Sequence, residues 1–281
     1  MSEKRSVILI LFMFIVGIGI MTYPAISNYL SECTQGEIID TYKDDVEQIA
    51  DEDKRAIKEK AMEYNRALLG TVVLTDPFDE DEKQRQDQEY LEILNIREDG
   101  MMGYVEIPSI DVYLPIYHGT KAKALDKGVG HLSSTSLPVG GIGTHTVLSA
   151  HRGIPSARLF TDLPELELGE VFYLKVLGET LAYETNQIKV VEPQNTQDLL
   201  IDIDKDYVTL LTCTPYGVNS HRLLVRGSRI PYEEETRKKI EEIKTESKWR
   251  KTYRLAIAIG VEIVLILLLI RAICSRRRKK V

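Results

Sequence analysis

Hydrophobic runs open and close the chain. Residues 7–21 and residues 255–270 contain no charged side chain except Glu262. Each run is somewhat shorter than the roughly 20 residues that cross a bilayer, and flanking tyrosine, threonine and arginine side chains extend both. The pattern predicts two transmembrane helices, one within residues 1–30 behind a short cytoplasmic tip, and one within residues 253–281 before a basic tail.

Residues 31–99 change from a helical pattern to an irregular one. Between residues 37 and 69, apolar positions recur at helical spacing in a charged sequence, which predicts an amphipathic helical hairpin packed on the main domain as a scaffold. Asp51-Glu52-Asp53 is expected to mark its turn. The following residues up to 99 are acidic and glutamine-rich, and they contain Asp76-Pro77-Phe78. By composition alone, that tripeptide is typical of a surface turn.

Short apolar runs broken by glycine and proline fill residues 100–230. Seven strands are predicted, at residues 104–107, 112–116, 144–150, 171–176, 188–191, 208–213 and 222–226. With one or two helical turns between them, they indicate a mainly β fold that forms a closed or nearly closed barrel. The charged residues 231–252 predict a helical linker to the second membrane helix.

Basic clusters at both termini predict the membrane topology. Lys4-Arg5 precedes the first apolar run, and the cluster from Arg276 to Lys280 follows the second. Because basic residues concentrate on the cytoplasmic side of membrane helices, both termini are expected in the cytoplasm and residues 31–250 outside the cell. A cleaved signal peptide is the alternative for the first segment, but Thr22-Tyr23-Pro24-Ala25 is a poor small-residue cleavage site, which favours a retained anchor.

The predicted external part is strongly acidic. The whole chain has a formal net charge of −7, and within residues 31–250 there are 26 basic residues against 41 acidic ones, a net charge of −15. A surface of this sign repels the phosphate backbone of nucleic acids. Nucleic-acid binding is therefore excluded as a function.

Cysteine usage singles out one thiol. Cys274 falls at the cytoplasmic end of the second helix, whereas Cys33 and Cys213 share the oxidising side, where a disulfide is conceivable. A disulfide is not expected, because Cys33 follows the membrane anchor and Cys213 ends a predicted core strand. An external thiol is a liability unless it is used, which favours a functional role for Cys213.

Cys213 and Arg222 are predicted to meet across a hairpin. Residues 208–211 are β-branched or apolar, residues 214–220 are rich in turn formers, and residues 222–226 form the returning strand. A thiol held beside a guanidinium has a stabilised thiolate, which is the nucleophilic form. For an isolated cysteine and arginine, a small buried hydrophobe and a surface charge would be the preferred interpretation.

Among the five histidines, His151 has the most suggestive position. It follows the apolar residues 147–150 and precedes Arg152-Gly153, so it lies where a strand leads into a loop. A lone histidine at such a position is more often structural. Together with a strand-end cysteine and a neighbouring arginine, it becomes a candidate acid and base.

The motifs around these residues resemble those of sortases, the membrane-bound cysteine transpeptidases of Gram-positive bacteria. Thr209-Leu210-Leu211-Thr212-Cys213 is similar to the family's TLxTC motif, Arg222 to its arginine on the next strand, and Leu148-Ser149-Ala150-His151-Arg152 to the segment with its histidine. The resemblance covers about residues 100–230 and implies a closed barrel of about eight strands. Asp76-Pro77-Phe78 and the C-terminal anchor resemble the class C branch, which assembles pili and carries an N-terminal lid with an Asp-Pro-aromatic motif.

The resemblance implies a role for each matching residue. Cys213 would attack the Thr–Gly carbonyl of an LPXTG-like sorting signal, Arg222 would stabilise the oxyanion or hold the substrate backbone, and His151 would transfer protons. Asp76 would pair with Arg222 while Phe78 covers the thiol, so that the tripeptide acts as a lid. The implied partners are pilin subunits with acceptor lysines and the membrane, and no cofactor or metal is implied.

Three other functions agree with parts of the sequence. The same chemistry could attach proteins to peptidoglycan instead of to a pilin lysine. A papain-like or amidase-type hydrolase is disfavoured, because here the histidine precedes the cysteine and the cysteine ends a strand. In a membrane-tethered adhesin or scaffold, Cys213 would be incidental.

Overall fold

The computed structural model describes residues 2–69, 78, 88–232, 257, 260 and 261. The N-terminal helices and the barrel belong to one compact unit, Met1–Glu233. The predicted linker at residues 231–252 and the predicted second membrane helix fall almost entirely outside the described residues. Among the described helices, one is long and apolar enough to cross a membrane, near the N-terminus.

Helix α1, Ser2–Gln48, is one uninterrupted helix with Pro24 inside it. It continues through residue 30, where the sequence predicted a change from membrane segment to external region. The residues that follow keep their apolar positions at helical spacing, so no signal ends the helix there. The predicted membrane span and the first helix of the predicted hairpin are therefore parts of one continuous helix.

The helical hairpin is present, with its turn displaced from the predicted position. Helix α1 ends at Gln48 and helix α2, Asp51–Ala67, begins three residues later. Asp51, Glu52 and Asp53 form the first turn of α2 instead of the connection. Acidic side chains at this end of a helix interact favourably with its dipole. A short helix α3, Gln88–Glu92, lies within the region predicted to be irregular.

Eight strands form a closed barrel, which confirms the predicted fold class. The strands are β1 Met101–Ile107, β2 Val112–His118, β3 Val129–His131, β4 Thr144–Ser149, β5 Val171–Val176, β6 Glu179–Val191, β7 Asp206–Thr214 and β8 His221–Ile230. Helix α4, Ala122–Leu125, connects β2 to β3, and short 3-10 turns occur at Pro108–Ile110, Leu163–Glu165 and Gln197–Leu199. The order around the barrel is β1-β2-β3-β4-β7-β8-β6-β5.

Two strands differ from the sequence prediction. Strand β3 was not predicted, since three residues are too short for a period of two to show. Strand β6 was predicted only over residues 188–191, whereas it runs from Glu179 to Val191. Its first part contains several polar residues and a register irregularity between Thr185 and Gln187, which break the alternation that identifies a strand.

Apolar side chains are buried together in the core of the barrel. Aromatic and aliphatic residues such as Phe172, Leu174, Leu148, Val208 and Val225 are fully buried in one continuous cluster. A small barrel of this size is packed by its own side chains. Functional groups are consequently expected at an end of the barrel.

Two helices are fixed to the outside of the barrel by buried polar contacts. On α1, the Tyr42 hydroxyl donates to the main-chain oxygen of Met102 (3.0 Å) and accepts from the N–H of Leu177 (3.1 Å). On α2, the Asn65 side chain exchanges two hydrogen bonds with the main chain of Leu137, at 3.1 and 2.7 Å. Both helices pack against the barrel as the predicted scaffold should.

Candidate active site

Cys213 and Arg222 lie directly opposite each other on two neighbouring strands. They are a cross-strand pair of β7 and β8, and their exposed fractions are 8% and 9%. The connection between them is a tight loop in which the N–H groups of Val218 and Asn219 donate to the main-chain oxygen of Pro215 (3.1 and 3.0 Å). This loop sets the register that brings the thiol and the guanidinium together.

His151 follows the end of β4, which runs parallel to β7. The last pair of that ladder is Ser149 with Leu211, two residues before His151 and Cys213 respectively. The pairing continues past it, since the Ala150 N–H donates to the main-chain oxygen of Leu211 (3.2 Å). The Thr212 hydroxyl also donates to the main-chain oxygen of Ala150 (2.7 Å). His151 therefore leaves its strand at the level of Cys213.

A closed loop from His151 to Phe160 carries the histidine. The N–H of Phe160 donates to the main-chain oxygen of His151 (3.1 Å), so the ends of the loop meet. Arg152 ties this loop to the cysteine strand, because its Nη1 donates to the hydroxyl of Thr214 (3.1 Å). The adjacent Gly153 has φ +83°, and a Cβ there would lie 2.9 Å from the Tyr216 ring. Only glycine fits this contact.

The local electrostatics favour a neutral imidazole. Burial lowers the pKa of His151, and the negative charge of Asp126 partly opposes this. Asp126 is exposed in the α4–β3 connection. Near neutral pH, His151 is therefore able to accept a proton.

Phe78 lies close to both the predicted acid–base residue and the predicted oxyanion donor. Its ring centroid is 5.8 Å from the His151 ring, and the Arg222 Cζ is 5.2 Å from the Phe78 centroid. Phe78 also packs on a buried apolar cluster made of Leu132, Val147, Leu199, Leu211 and Leu224. Asp76 and Pro77 lie outside the described residues, so their part in a lid stays a prediction.

Arg222 is also held by the main chain. Its Nη1 donates to the oxygen of Asn219 (2.9 Å) and to that of His221 (3.1 Å). Both acceptors belong to the loop and strand start beside Cys213. The guanidinium is therefore oriented by the same hairpin that supplies the thiol.

The sequence prediction gave no role to three further residues of this region. Arg152, Thr214 and Tyr216 connect the histidine loop to the cysteine hairpin, and the Arg152 Cζ lies 5.8 Å from the Tyr216 centroid. Their positions next to His151 and Cys213 were the only available signal. Cys33 is exposed on α1 and forms no disulfide with the buried Cys213. Within the described ranges, no group of three or more histidine, cysteine or acidic side chains is placed to hold a metal ion.

Comparisons with known proteins agree with this geometry. A family model described as the sortase domain matches residues 105–230. The structure of Streptococcus pneumoniae sortase C is 46% identical, with a TM-score of 0.65, and the match covers 70% of this chain and 97% of that one. Sortase C-1 from Actinomyces oris is 49% identical, with a TM-score of 0.60, over 64% of this chain and 99% of that one.

A more distant relative matches a smaller part of the chain. Sortase D of Bacillus subtilis is 33% identical over 131 residues, which are 46% of this chain and 63% of that protein's length. The match to the sortase C structures, by contrast, extends over almost the whole of each of those chains. On these similarities, the chain belongs to the sortase family.

Proposed function

We propose that this chain is a cysteine transpeptidase that cleaves an LPXTG-like sorting signal and joins it to a lysine of a pilin subunit. One observation carries the proposal: Cys213 pairs directly with Arg222, and the parallel strand β4 ends at the same level before His151. A nucleophile, an oxyanion donor and a proton-transfer group are thus assembled at one end of a filled barrel.

In the first step, the sulfur of Cys213 bonds to the carbonyl carbon of the scissile Thr–Gly peptide. The thiol proton passes to His151, which is neutral because burial lowers its pKa. Collapse of the tetrahedral intermediate breaks the C–N bond, and His151 gives the proton to the leaving amine. The products are a thioester on Cys213 and a released fragment that begins with glycine.

In the second step, the amine of a pilin lysine attacks the thioester carbonyl. His151 takes the proton that the amine loses, and the C–S bond breaks. The departing sulfur recovers that proton, which restores the thiol of Cys213 and the neutral imidazole. The product is an isopeptide bond between two subunits, whereas attack by water would give hydrolysis.

Arg222 stabilises the negative charge that develops on the carbonyl oxygen. Its Nη1 is held by the main-chain oxygens of Asn219 and His221, which fixes the guanidinium before substrate binds. A donor that is already oriented requires little reorganisation when charge appears in the transition state. This is the physical basis for assigning the oxyanion role to Arg222.

Pilin subunits are the proposed substrates because of the relatives. The Streptococcus pneumoniae sortase C structure was described for its pilin substrate specificity, and another sortase C1 belongs to a pilus island of group B Streptococcus. These two are 46% and 42% identical to this chain. A pilin lysine is therefore favoured over a peptidoglycan amine as the acceptor.

Incubation of the full-length enzyme with purified candidate pilins tests the proposal. The wild type should form SDS-resistant ladders of high mass, and Cys213→Ala should form none while it stays folded. Cys33→Ser is the matched control, since this exposed thiol lies on α1 and should be dispensable. Ladders from Cys213→Ala would show that the nucleophile is wrong. A cell-wall-linked product in place of ladders would favour the peptidoglycan alternative.

We also propose that residues 76–78 act as a lid over the thiol. The contacts of Phe78 with His151 and Arg222 support this, because a ring packed against both groups obstructs the access of a substrate to them. Substrate would bind only the open fraction, so the apparent affinity falls in proportion to that fraction. Asp76 is proposed to hold the closed form through Arg222.

The rate of Cys213 modification by a small thiol reagent measures how far the proposed lid restricts access to the thiol. Phe78→Ala, alone or with Asp76→Ala, should raise this rate and speed peptide cleavage. The single Asp76→Ala change should act more weakly, since an exposed ion pair contributes only about 0–1 kcal/mol. If the double variant is labelled at the wild-type rate, residues 76–78 are an ordinary surface turn.

The proposed location is the cell membrane, with two spans, both termini cytoplasmic and the barrel outside. The apolar part of α1 that begins at Phe12 supports the first span, and the basic cluster from Arg276 to Lys280 supports the orientation of the second. Protease added to intact protoplasts should digest the barrel and spare a C-terminal tag. Digestion of that tag without lysis would contradict the two-span topology.

A further inference from the structure

Helix α1 places the bilayer surface at a definite height relative to the barrel. The roughly 20 residues that cross a bilayer, counted from Val7, end near Ile26. Tyr23 and Tyr29 flank that position with exposed side chains, as aromatic residues do at a membrane interface. Because Ser2–Gln48 is one helix, everything docked on its later turns stands at a known distance from the lipid.

The docked part of α1 runs along the barrel from its catalytic end to its opposite end. Gln35 donates to the main-chain oxygen of Lys127 (3.3 Å), next to the strand that pairs with the end of β4. Farther along, Tyr42 binds Leu177 in the β5–β6 turn. The pairing of β6 with β8 puts that turn at the far end from Arg222. The catalytic end is therefore the end that faces the membrane.

The histidine loop reaches the helix where it leaves the bilayer. The Ser27 hydroxyl on α1 donates to the main-chain oxygen of Ser156 (3.0 Å). Ser156 is near the middle of the closed loop from His151 to Phe160, and both Pro155 and Ser156 are exposed. Since Ser27 directly follows the expected end of the span, the loop tip lies at the level of the lipid head groups.

Exposed lysines occur in the segment that Gln35 of α1 contacts through the main-chain oxygen of Lys127. Lys121, Lys123 and Lys127, on and beside α4, are all exposed in a region whose overall charge is strongly negative. Asp126 is the acidic neighbour within this stretch, so three positive charges accompany one negative charge. Lysines near an anionic membrane each contribute about 1 kcal/mol of attraction.

We infer that the catalytic end of the barrel rests on the anionic outer surface of the bilayer. The tip of the loop at Pro155-Ser156 enters the interface, and the three lysines at positions 121, 123 and 127 contact lipid phosphates. The surface is distinct from the catalytic groups, although His151 leads directly into the inserted loop. The cleft consequently opens at the height of the membrane surface, where it can act on peptide segments close to the lipid.

A fluorophore attached to the loop tip tests this inference in the full-length chain. Cys33, Cys213 and Cys274 are replaced by alanine, and an environment-sensitive NBD probe is placed through Pro155→Cys. The protein is reconstituted in nanodiscs that contain phosphatidylglycerol and lipids with a doxyl quencher near the head group. Ile203→Cys is the matched control, because it is exposed, apolar and on the loop before β7, at the barrel end opposite to Cys213.

The inference predicts a blue shift and quenching for the probe at position 155 and neither effect at position 203. A probe at Ile20→Cys, within the span, should be quenched in every sample and verifies reconstitution. If the probe at 155 behaves like the probe at 203, the barrel does not rest on the bilayer and the inference is wrong.

Substitution of the lysines tests the electrostatic part separately. The triple variant Lys121→Gln, Lys123→Gln and Lys127→Gln should shift the docked-to-undocked ratio by about fivefold per lysine, so that quenching at position 155 falls. Phosphatidylcholine in place of phosphatidylglycerol should have the same direction of effect. Undiminished quenching in both experiments would exclude the lysines from the contact and contradict the choice of anionic lipid.

Discussion

The catalytic end of the barrel and the buried cluster under helices α2 and α3 use histidine in opposite ways. In the buried cluster, His131 is fully buried, and its ring nitrogens lie 2.9 Å from the Tyr90 hydroxyl and 2.9 Å from the main-chain oxygen of Ser136. His151 is only partly buried, and within the described part of the chain its ring makes no hydrogen bond. His131 is thus fixed in the core by hydrogen bonds, whereas His151 is available for proton transfer.

The pKa values follow from this difference in surroundings. Burial lowers the pKa of His131 to about 3 and that of His145 to about 4, although a ring nitrogen of each donates to a main-chain oxygen, that of Ser136 and that of Leu200 respectively. Burial also lowers the pKa of His151, but the charge of Asp126 acts against it. A histidine whose ring nitrogens are hydrogen-bonded in the core has a structural role. A histidine at a strand end whose ring nitrogens make no hydrogen bond to the described residues can transfer protons.

The largest expected effect is on His151. His151→Ala should lower kcat/KM for a sorting peptide by about 10²–10⁴-fold, the usual contribution of general acid–base catalysis, with little change in thermal stability. His131→Ala is the matched comparison and should do the reverse, with a marked loss of stability because buried groups lose their partners. Equal loss of activity in two well-folded variants would remove the distinction between the two histidines.

Arg222 should show the next largest effect. Arg222→Ala is expected to lower kcat/KM by about 10²–10³-fold, since it removes an oriented oxyanion donor. Arg222→Lys should recover little of this loss, because an ammonium cannot reproduce the planar guanidinium that the main chain of Asn219 and His221 orients. Single-turnover rates of thioester formation provide the measurement. Near-normal rates for Arg222→Lys would mean that only the charge is required.

The buried histidines predict how stability depends on pH. Their folded-state pKa values lie below the ordinary value of 6.5, so the unfolded chain binds protons first as the pH falls. The contribution of these neutral histidines to the free energy of unfolding is therefore fully present above pH 6.5, and it is lost toward pH 4 for His145 and toward pH 3 for His131. Together they should reduce the free energy of unfolding by about 2.7 kcal/mol per pH unit between roughly pH 6 and 4.5.

Urea denaturation at several pH values measures this slope. His145→Gln should reduce it by about 1.4 kcal/mol per pH unit, because one titrating group is gone. The pKa of His118 is also lowered and adds to the slope, whereas the pKa of Asp206 is raised by burial and acts with the opposite sign. A slope unchanged by His145→Gln would show that this histidine is not neutral in the folded protein.

The smallest expected effect concerns Asp126. Its negative charge raises the pKa of His151, so Asp126→Asn should lower that pKa further. The acid limb of the kcat/KM profile should move to lower pH, with the plateau rate almost unchanged. The shift should shrink in high salt, because Asp126 is exposed and its charge is screened. An unmoved acid limb would mean that another group controls it.

Local order along the chain explains why parts of the site were predictable. Cys213 and Arg222 are joined by a short loop, so strand and turn preferences of a few neighbouring residues were enough to place them together. The helical hairpin was likewise visible in the spacing of apolar residues. The polar first part of β6 and the three residues of β3 carried no comparable pattern, and they were missed.

What the sequence by itself determined is therefore local: an apolar N-terminal helix, a helical hairpin, a set of strands, and a hairpin with a thiol opposite an arginine. The tertiary structure alone decided that β4 pairs in parallel with β7, which brings His151 to the level of Cys213. The hydrogen bond between Arg152 and Thr214, which are 62 residues apart in the sequence, holds the two segments together. It also placed Phe78 beside both His151 and Arg222, and it brought α1 into contact with the histidine loop through Ser27 and Ser156. Short-range preferences act between neighbours in the chain, whereas parallel pairing and helix docking depend on how the whole core is filled.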